Sequence, residues 1–243
     1  MLIGHFAVGL GLKRMAPRVS LGVLVATTAW ADILWTVFLL LGWEHVRISA
    51  GDTRWTPLDL YDYPWSHSLL MLVVWAAVLA LLYGAWSNDA VGSWAVGIGV
   101  LSHWVLDFVT HRPDMPLIPG GPKFGLGLWN SIAGTLVAEL LLFLGGVWLY
   151  ESSTRARDRI GRWGFRAYVL VLLTLYLGDR FSPPPENVRE IAWTGLIATA
   201  VLVGWAWWFD RHRTSKDGVE TGSMEQRIAP DLTFEAGKQE PGV

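Results

Sequence analysis

SHWVLDFVTHRPD, residues Ser102 to Asp114, follows an apolar run from Val91 to Leu101 that carries no charge. His103, Asp107 and His111 arrive in it at intervals of four. On a helix, residues four apart lie one above the other on the same face. The segment therefore predicts a stripe of imidazole, carboxylate and imidazole. These groups are ligands for zinc and for other borderline divalent metals. Within a bilayer each of them is costly to hold, and an ionisable residue there points to function.

The composition places the segment in a membrane. Hydrophobic residues make up 52% of the 243-residue chain and charged residues 16%, against about 25% charged in soluble domains. The charges crowd between apolar runs and near the C-terminus. That is the pattern of a polytopic membrane protein. The net charge of −2, with no basic stripe, argues against a nucleic-acid partner. There is no cysteine, so disulfides and thiolate metal sites are excluded. A metal must be held by His, Asp, Glu or Asn. The apolar start, with its basic residues following rather than preceding it, does not read as a cleavable signal.

Taken in order, MLIGHFAVGLGL (1–12) is apolar and glycine-rich, interrupted by His5. At about 1.5 Å per residue it is too short to cross a core of roughly 30 Å. It reads as a half-helix starting within the membrane, or as an interfacial segment. Six spans follow, at about 19–43, 66–86, 91–110, 129–150, 165–177 and 191–209. The fifth is short. Polar residues within or at the mouths of the spans are Asp32, His67, His103, Asp107 and Glu139. The fold class expected is an all-α transmembrane bundle of about six spans plus the N-terminal half-helix. Residues 1–210 form one domain, and 211–243 read as a disordered polar tail.

Lys and Arg set the orientation. One side receives Lys13, Arg14, Arg18, the Arg155–Arg166 cluster, Arg211, Arg213 and Lys216. The other receives Arg47, Arg54, Arg112, Lys123, Arg180 and Arg189. The first is richer, so both termini are expected in the cytoplasm of a bacterial inner membrane. The 44–64, 111–128 and 178–190 loops then face outward. Helix rise places Asp32 and His103 about 20 and 18 Å from the inner ends of their spans, and Glu139 about 15 Å below the outer face. These three share one layer, and His67, Asp107 and His111 lie a turn or two further out. A single such residue can serve as a hydrogen bond between helices. Several converging from four spans point to a shared site. His45 and His212 read as solvated, and Asp59, Asp62 and Asp114 as loop carboxylates, with Asp114 beside the site.

The chain also resembles the YdjM-type family of membrane-bound proteins assigned as metal-dependent hydrolases. The resemblance lies in His5 with its following glycines, Asp32, PWSHSLL with His67, SHWVLDFVTHRPDMPL, and GLGLWNSIAGTLVAELLL with Glu139. It covers most of residues 1–150. The family's hydrolase assignment follows a His/Asp pattern similar to that of zinc-dependent phospholipase C and the P1-type nucleases. The resemblance implies metal ligands at His5, Asp32, His67, His103 and Asp107, with His111 and Glu139 as supporting or catalytic groups.

The expected function is a membrane-embedded hydrolase that uses a divalent metal, zinc foremost, on a lipid-like or other amphiphilic ester, with a phosphoester preferred. Ser68, beside His67, reads as the cap of the second span. The rival reading is a transporter or permease using the same cluster as an ion or proton site. A third is a bundle whose metal only stabilises it.

Overall fold

In the computed structural model, which describes residues 1–179 and 181–216, the chain is predominantly helical with three small two-stranded sheets. Arg180 and residues 217–243, which hold most of the expected tail, lie outside the described residues.

The first helix, α1 (Ile3–Met15), is the expected half-helix. Its 13 residues reach about 20 Å, and nearly all of its first ten are buried. It packs along α7 (Ile132–Ser153) and against α2 (Leu21–Thr28) and α6 (Ala90–Thr110). The α1–α7 contact is close because Gly146 has no side chain. A Cβ there would lie 2.4 Å from the carbonyl oxygen of Ala7.

The expected first span is broken. It is α2 followed by α3 (Trp30–Leu41), with axes bent by 59°. The hydroxyls of Thr27 and Thr28 bond back to the carbonyls of Leu24 and Val25, a pattern that competes with the helix ladder and bends it. The break exposes the Thr28 carbonyl and sets Asp32 in the first turn of α3, where the helix dipole favours a carboxylate.

The second span is also preceded by a break. One turn, α4 (Pro64–His67), ends at Ser68, whose extended backbone starts α5 (Leu69–Ser87). The Ser68 hydroxyl accepts from the amide of Met71, so Ser68 is the expected cap. α6 ends at Thr110, and His111 is already extended. Arg112 precedes Pro113, which disfavours further helix. Gly125 packs against that end: a Cβ on it would meet the carbonyl of Arg112 at 2.1 Å.

α8 (Arg159–Asp179) is longer than the expected 165–177 span and takes in Arg159 and Arg162. α9 (Val188–Asp210) closes the bundle. Among the described residues, five helices are long and apolar enough to cross a membrane, or six if α2 and α3 make one span.

The sheets lie in the loops. β1 (His45–Ile48) pairs antiparallel with β2 (Leu58–Asp62), and β3 (Met115–Pro116) with β4 (Lys123–Phe124). β5 (Thr154–Ala156) pairs with β6 (Arg213–Ser215). This last pairing corrects the expected boundary at 210. Residues 211–216 are tied to the end of α7, and the Arg213 guanidinium donates to the Thr154 hydroxyl and the Gly161 carbonyl.

Candidate functional site

Asp107 is the centre of the polar cluster. It projects from α6, one turn beyond His103, and both are buried. The Nε2 of His103 lies 3.0 Å from Asp107 Oδ2 and 3.7 Å from Asp32 Oδ1. His67, on the single turn α4, places its Nε2 3.6 Å from Asp32 Oδ1 and 3.9 Å from Asp107 Oδ2. His5 comes from α1, with Nε2 3.1 Å from Asp107 Oδ1, and its ring stacks on that of His103 at 3.8 Å between centroids. His111 sits beyond the helix end, with Nε2 3.7 Å from Asp107 Oδ2. The Met1 nitrogen also reaches Asp107, at 2.5 Å.

Every ligand position expected from the sequence is thus in the cluster. Among the described residues, two sets of three could each offer ligand atoms within 4.8 Å of one another: His5, His103 and Asp107, and Asp32, His67 and His103.

The far nitrogens of three rings fix which nitrogen faces the cluster. His103 Nδ1 lies 2.8 Å from the Thr28 carbonyl, which only accepts, so Nδ1 carries the proton. His111 Nδ1 lies 3.0 Å from Asp114 Oδ1, an oxygen that also receives the Tyr63 hydroxyl at 2.9 Å. His67 Nδ1 lies 2.7 Å from the Ser66 hydroxyl. For His103 and His111 the Nε2 then turns a lone pair towards the carboxylates, as in metal sites where an outer partner holds the other nitrogen. His5 differs, since its Nδ1 has no hydrogen-bond partner among the described residues. The buried His103 Nε2 also lacks one. Such orphaned buried atoms need a further partner, and the donor set fits a divalent ion of the zinc type.

The cluster is not sealed. A cavity of about 290 Å³ reaches it, lined on the polar side by His5, Asp32, His67, Asp107 and His111. The Asp32 side chain is 44% exposed, facing this space. Trp35, Trp55, Leu58, Leu60, Trp129 and Ile191 make the apolar walls. The β1–β2 hairpin, the end of α6 and the start of α9 therefore surround one mouth.

Glu139 is not among the cavity-lining residues. It is fully buried on α7 beneath the first turn of α1, where its Oε2 accepts from the Gly4 amide at 3.3 Å. Glu139 thus lies under the N-terminal turn of α1, whose Met1 and His5 line the cavity.

Several contributors fall outside the spans and were not expected from the sequence. Glu44 accepts from the amides of Trp65 and Ser66 and from the Ser66 hydroxyl, and so fixes α4. Burial pushes its carboxyl up, against the pull of those donors. Burial, then the Asp114 charge, pushes the Tyr63 phenol well up. Arg112 forms ion pairs with Asp52, Asp59 and Asp114, tying the hairpin loop to the end of α6. Burial draws the Arg112 guanidinium down, but these carboxylates outweigh it and hold it above its ordinary value.

Residues 64–183 match the family model of the YdjM inner membrane protein. This stretch, just under half of the chain, is similar to the YdjM family. It spans α4 to the loop after α8 and so includes His67, His103, Asp107, His111 and Glu139, while His5 and Asp32 lie before it. No curated protein and no solved structure matches the chain. The matched family is that of an inner membrane protein, and the apolar helices fit a membrane-embedded chain in contact with lipid.

Proposed function

We propose that the chain is a membrane-embedded, metal-dependent hydrolase acting on an amphiphilic phosphoester. One observation carries the reading: three imidazoles turn Nε2 towards two carboxylates at the wall of an accessible cavity. A site that only stabilised the bundle would have no use for that opening.

His67, His103, Asp32 and Asp107 would hold the ion, with His5 completing the set. Zinc is the metal that imidazole and carboxylate favour. A bound divalent ion supplies Lewis acidity and lowers the pKa of water towards neutrality. The chain's own residues do the rest. His111 borders the cavity, and its Nδ1 proton is held by Asp114, so its Nε2 can take a proton from the attacking water. The tryptophans and aliphatic side chains of the walls accept the apolar part of a substrate, and the polar floor takes its phosphoryl group. Arg112 and its carboxylates keep the hairpin over the site.

The transport reading draws support from the broken α2–α3 span beside the cluster, since interrupted helices often line ion sites. Metal analysis of detergent-purified protein separates the first requirement. The wild type is expected to hold zinc, and a His103→Ala/Asp107→Ala variant to lack it. Equal metal in both removes the basis of the hydrolase reading. Hydrolysis of an alkyl phosphoester in micelles that persists in the variant removes it equally.

A further inference from the structure

We propose that Glu44, acting through Ser66, is a positioning residue that holds His67 in the tautomer with its proton on Nδ1. The inference rests on the metal-site reading above and adds a residue to it that lies outside every predicted span.

The geometry is a chain of buried groups. Ser66 Oγ lies 2.6 Å from Glu44 Oε2 and 2.7 Å from His67 Nδ1. Glu44, Ser66 and His67 are all buried, at 1%, 0% and 4% exposure. Ser66 has a single hydroxyl proton, and an ionised carboxylate can only accept. The proton therefore goes to Glu44, and the remaining lone pair of Oγ accepts Nδ1–H from His67. Were the hydroxyl turned towards the imidazole, its oxygen would face Glu44 Oε2 with no proton between them. With Glu44 ionised, the form that its two amide donors and the Ser66 hydroxyl favour, the direction of the chain is fixed by what each group can donate.

Glu44 is fixed independently of His67. Its Oε1 accepts from the amides of Trp65 and Ser66, at 2.7 and 2.8 Å. Those are the first free donors of α4, because Pro64 has none. One carboxylate thus caps the turn and sets the tautomer of the imidazole that the turn carries. His103 and His111 reach the same tautomer through a carbonyl and through Asp114. His67 alone depends on a hydroxyl, a group that could point either way without Glu44. In the wrong tautomer His67 would present N–H rather than a lone pair towards Asp32 and Asp107, and could not bind a metal there.

The test uses the full chain in detergent micelles. Long-range ¹H–¹⁵N spectra read the His67 tautomer in metal-free protein, and competition with a chromophoric chelator reads zinc affinity. The wild type is expected to show Nδ1–H at His67. Glu44→Gln keeps an oxygen for the two amides, but its NH₂ donates to Ser66. The serine hydroxyl is then free to donate to Nδ1, so the proton of His67 moves to Nε2. Ser66→Ala removes the link and leaves the cap intact, so the tautomers mix. Both variants should bind zinc about 10–100-fold more weakly, the usual loss when an outer partner of a metal-binding histidine is removed. Ser66→Thr restores the hydroxyl and should restore both readouts. If Glu44→Gln fails to fold, Ser66→Ala decides. A His67 that stays Nδ1–H in Ser66→Ala, or that is Nε2–H in the wild type, overturns the proposal. If the wild type binds no zinc, the hydrolase reading falls, and the tautomer spectra alone still decide the role of Glu44.

Discussion

Gly146→Ala perturbs the site from a distance, through α1. The added Cβ would lie 2.4 Å from Ala7 O, 2.7 Å from Ala7 Cα and 2.9 Å from Ala7 C. These are backbone atoms, so no rotamer change relieves the clash. α1 must move away from α7 by about 1 Å to restore ordinary contact. Ala7 is two residues from His5, whose Nε2 is 3.1 Å from Asp107. Metal–ligand distances are held to about 0.2 Å, so a shift of that size takes His5 out of any shared coordination. Overpacking of this kind costs about 1–3 kcal/mol, offset in part by the roughly 0.5–1 kcal/mol gained when Ala replaces Gly in a helix. Zinc affinity is expected to fall at least about tenfold, by analogy with the loss of an outer partner, and the melting temperature in detergent to fall with it. Gly145→Ala is the control, because its Cβ would meet nothing within 4 Å among the described residues. It should match the wild type in affinity and melt no lower. If Gly146→Ala melts lower but binds zinc as the wild type does, His5 is not a ligand. If it matches the control in both, α1 does not lie against α7 as described.

Three further outcomes are expected. Glu139→Gln keeps an acceptor for the Gly4 amide and should retain both metal and turnover; turnover lost with metal retained would return Glu139 to the proton path, against its place off the cavity wall. Reporter fusions after Trp86 and after Arg213 should both report cytoplasm, and a periplasmic signal at Arg213 would overturn the span count or the orientation. Asp158 lies in the short turn between β5 and α8, where the Gly161 amide and then His212 hold its carboxyl below the ordinary 3.8. A depressed carboxyl stabilises the fold above its unfolded value and ceases to as pH falls through its folded value. Asp158→Ala should therefore melt below the wild type at pH 6, the gap closing below about pH 3.8, and a gap independent of pH would refute this.

The sequence made the cluster legible because helix geometry is periodic. A spacing of four put His103 and Asp107 on one face, and counting residues into each span put Asp32 and His67 at a matching depth. The apolar length of 1–12 likewise foretold a half-helix that carries His5 inward. Counting along a helix fails where the helix fails. His111 joins the cluster from extended chain, turned inward by Asp114 and by the loop packed on it, not as a third step of the stripe. Depth grouped Glu139 with the site, but depth does not show that its carboxylate accepts from the Gly4 amide in the first turn of α1. The break at Ala29 had a local signal in the paired Thr27 and Thr28, whose hydroxyls compete for helix carbonyls. Glu44, Ser66, Tyr63 and Trp129 had none. Their roles depend on loop-to-helix contacts between distant residues, and no periodicity reports those.

The two ends of the bundle bear on whether hydrolysis or transport is the better account. The cavity opens between the β1–β2 hairpin, the end of α6 and the start of α9. About 20 Å away along α1, the other end is fastened. Asp210 accepts from Lys13 Nζ at 2.7 Å, from the Tyr150 hydroxyl at 2.7 Å and from the Leu21 amide at 2.9 Å. That network joins α1, α2, α7 and α9, and Lys13 and Asp210 are both buried. Alternating access would have to open a path at this end, separating helices that the buried pair joins. Breaking such a pair and leaving its charges buried costs about 3–5 kcal/mol. A hydrolase needs one mouth through which substrate enters and product leaves, and a rigid far end helps it by keeping α1, and so His5, in register with Asp107. The fastening of the far end and the open cavity at the near end therefore both weigh towards chemistry at a fixed site.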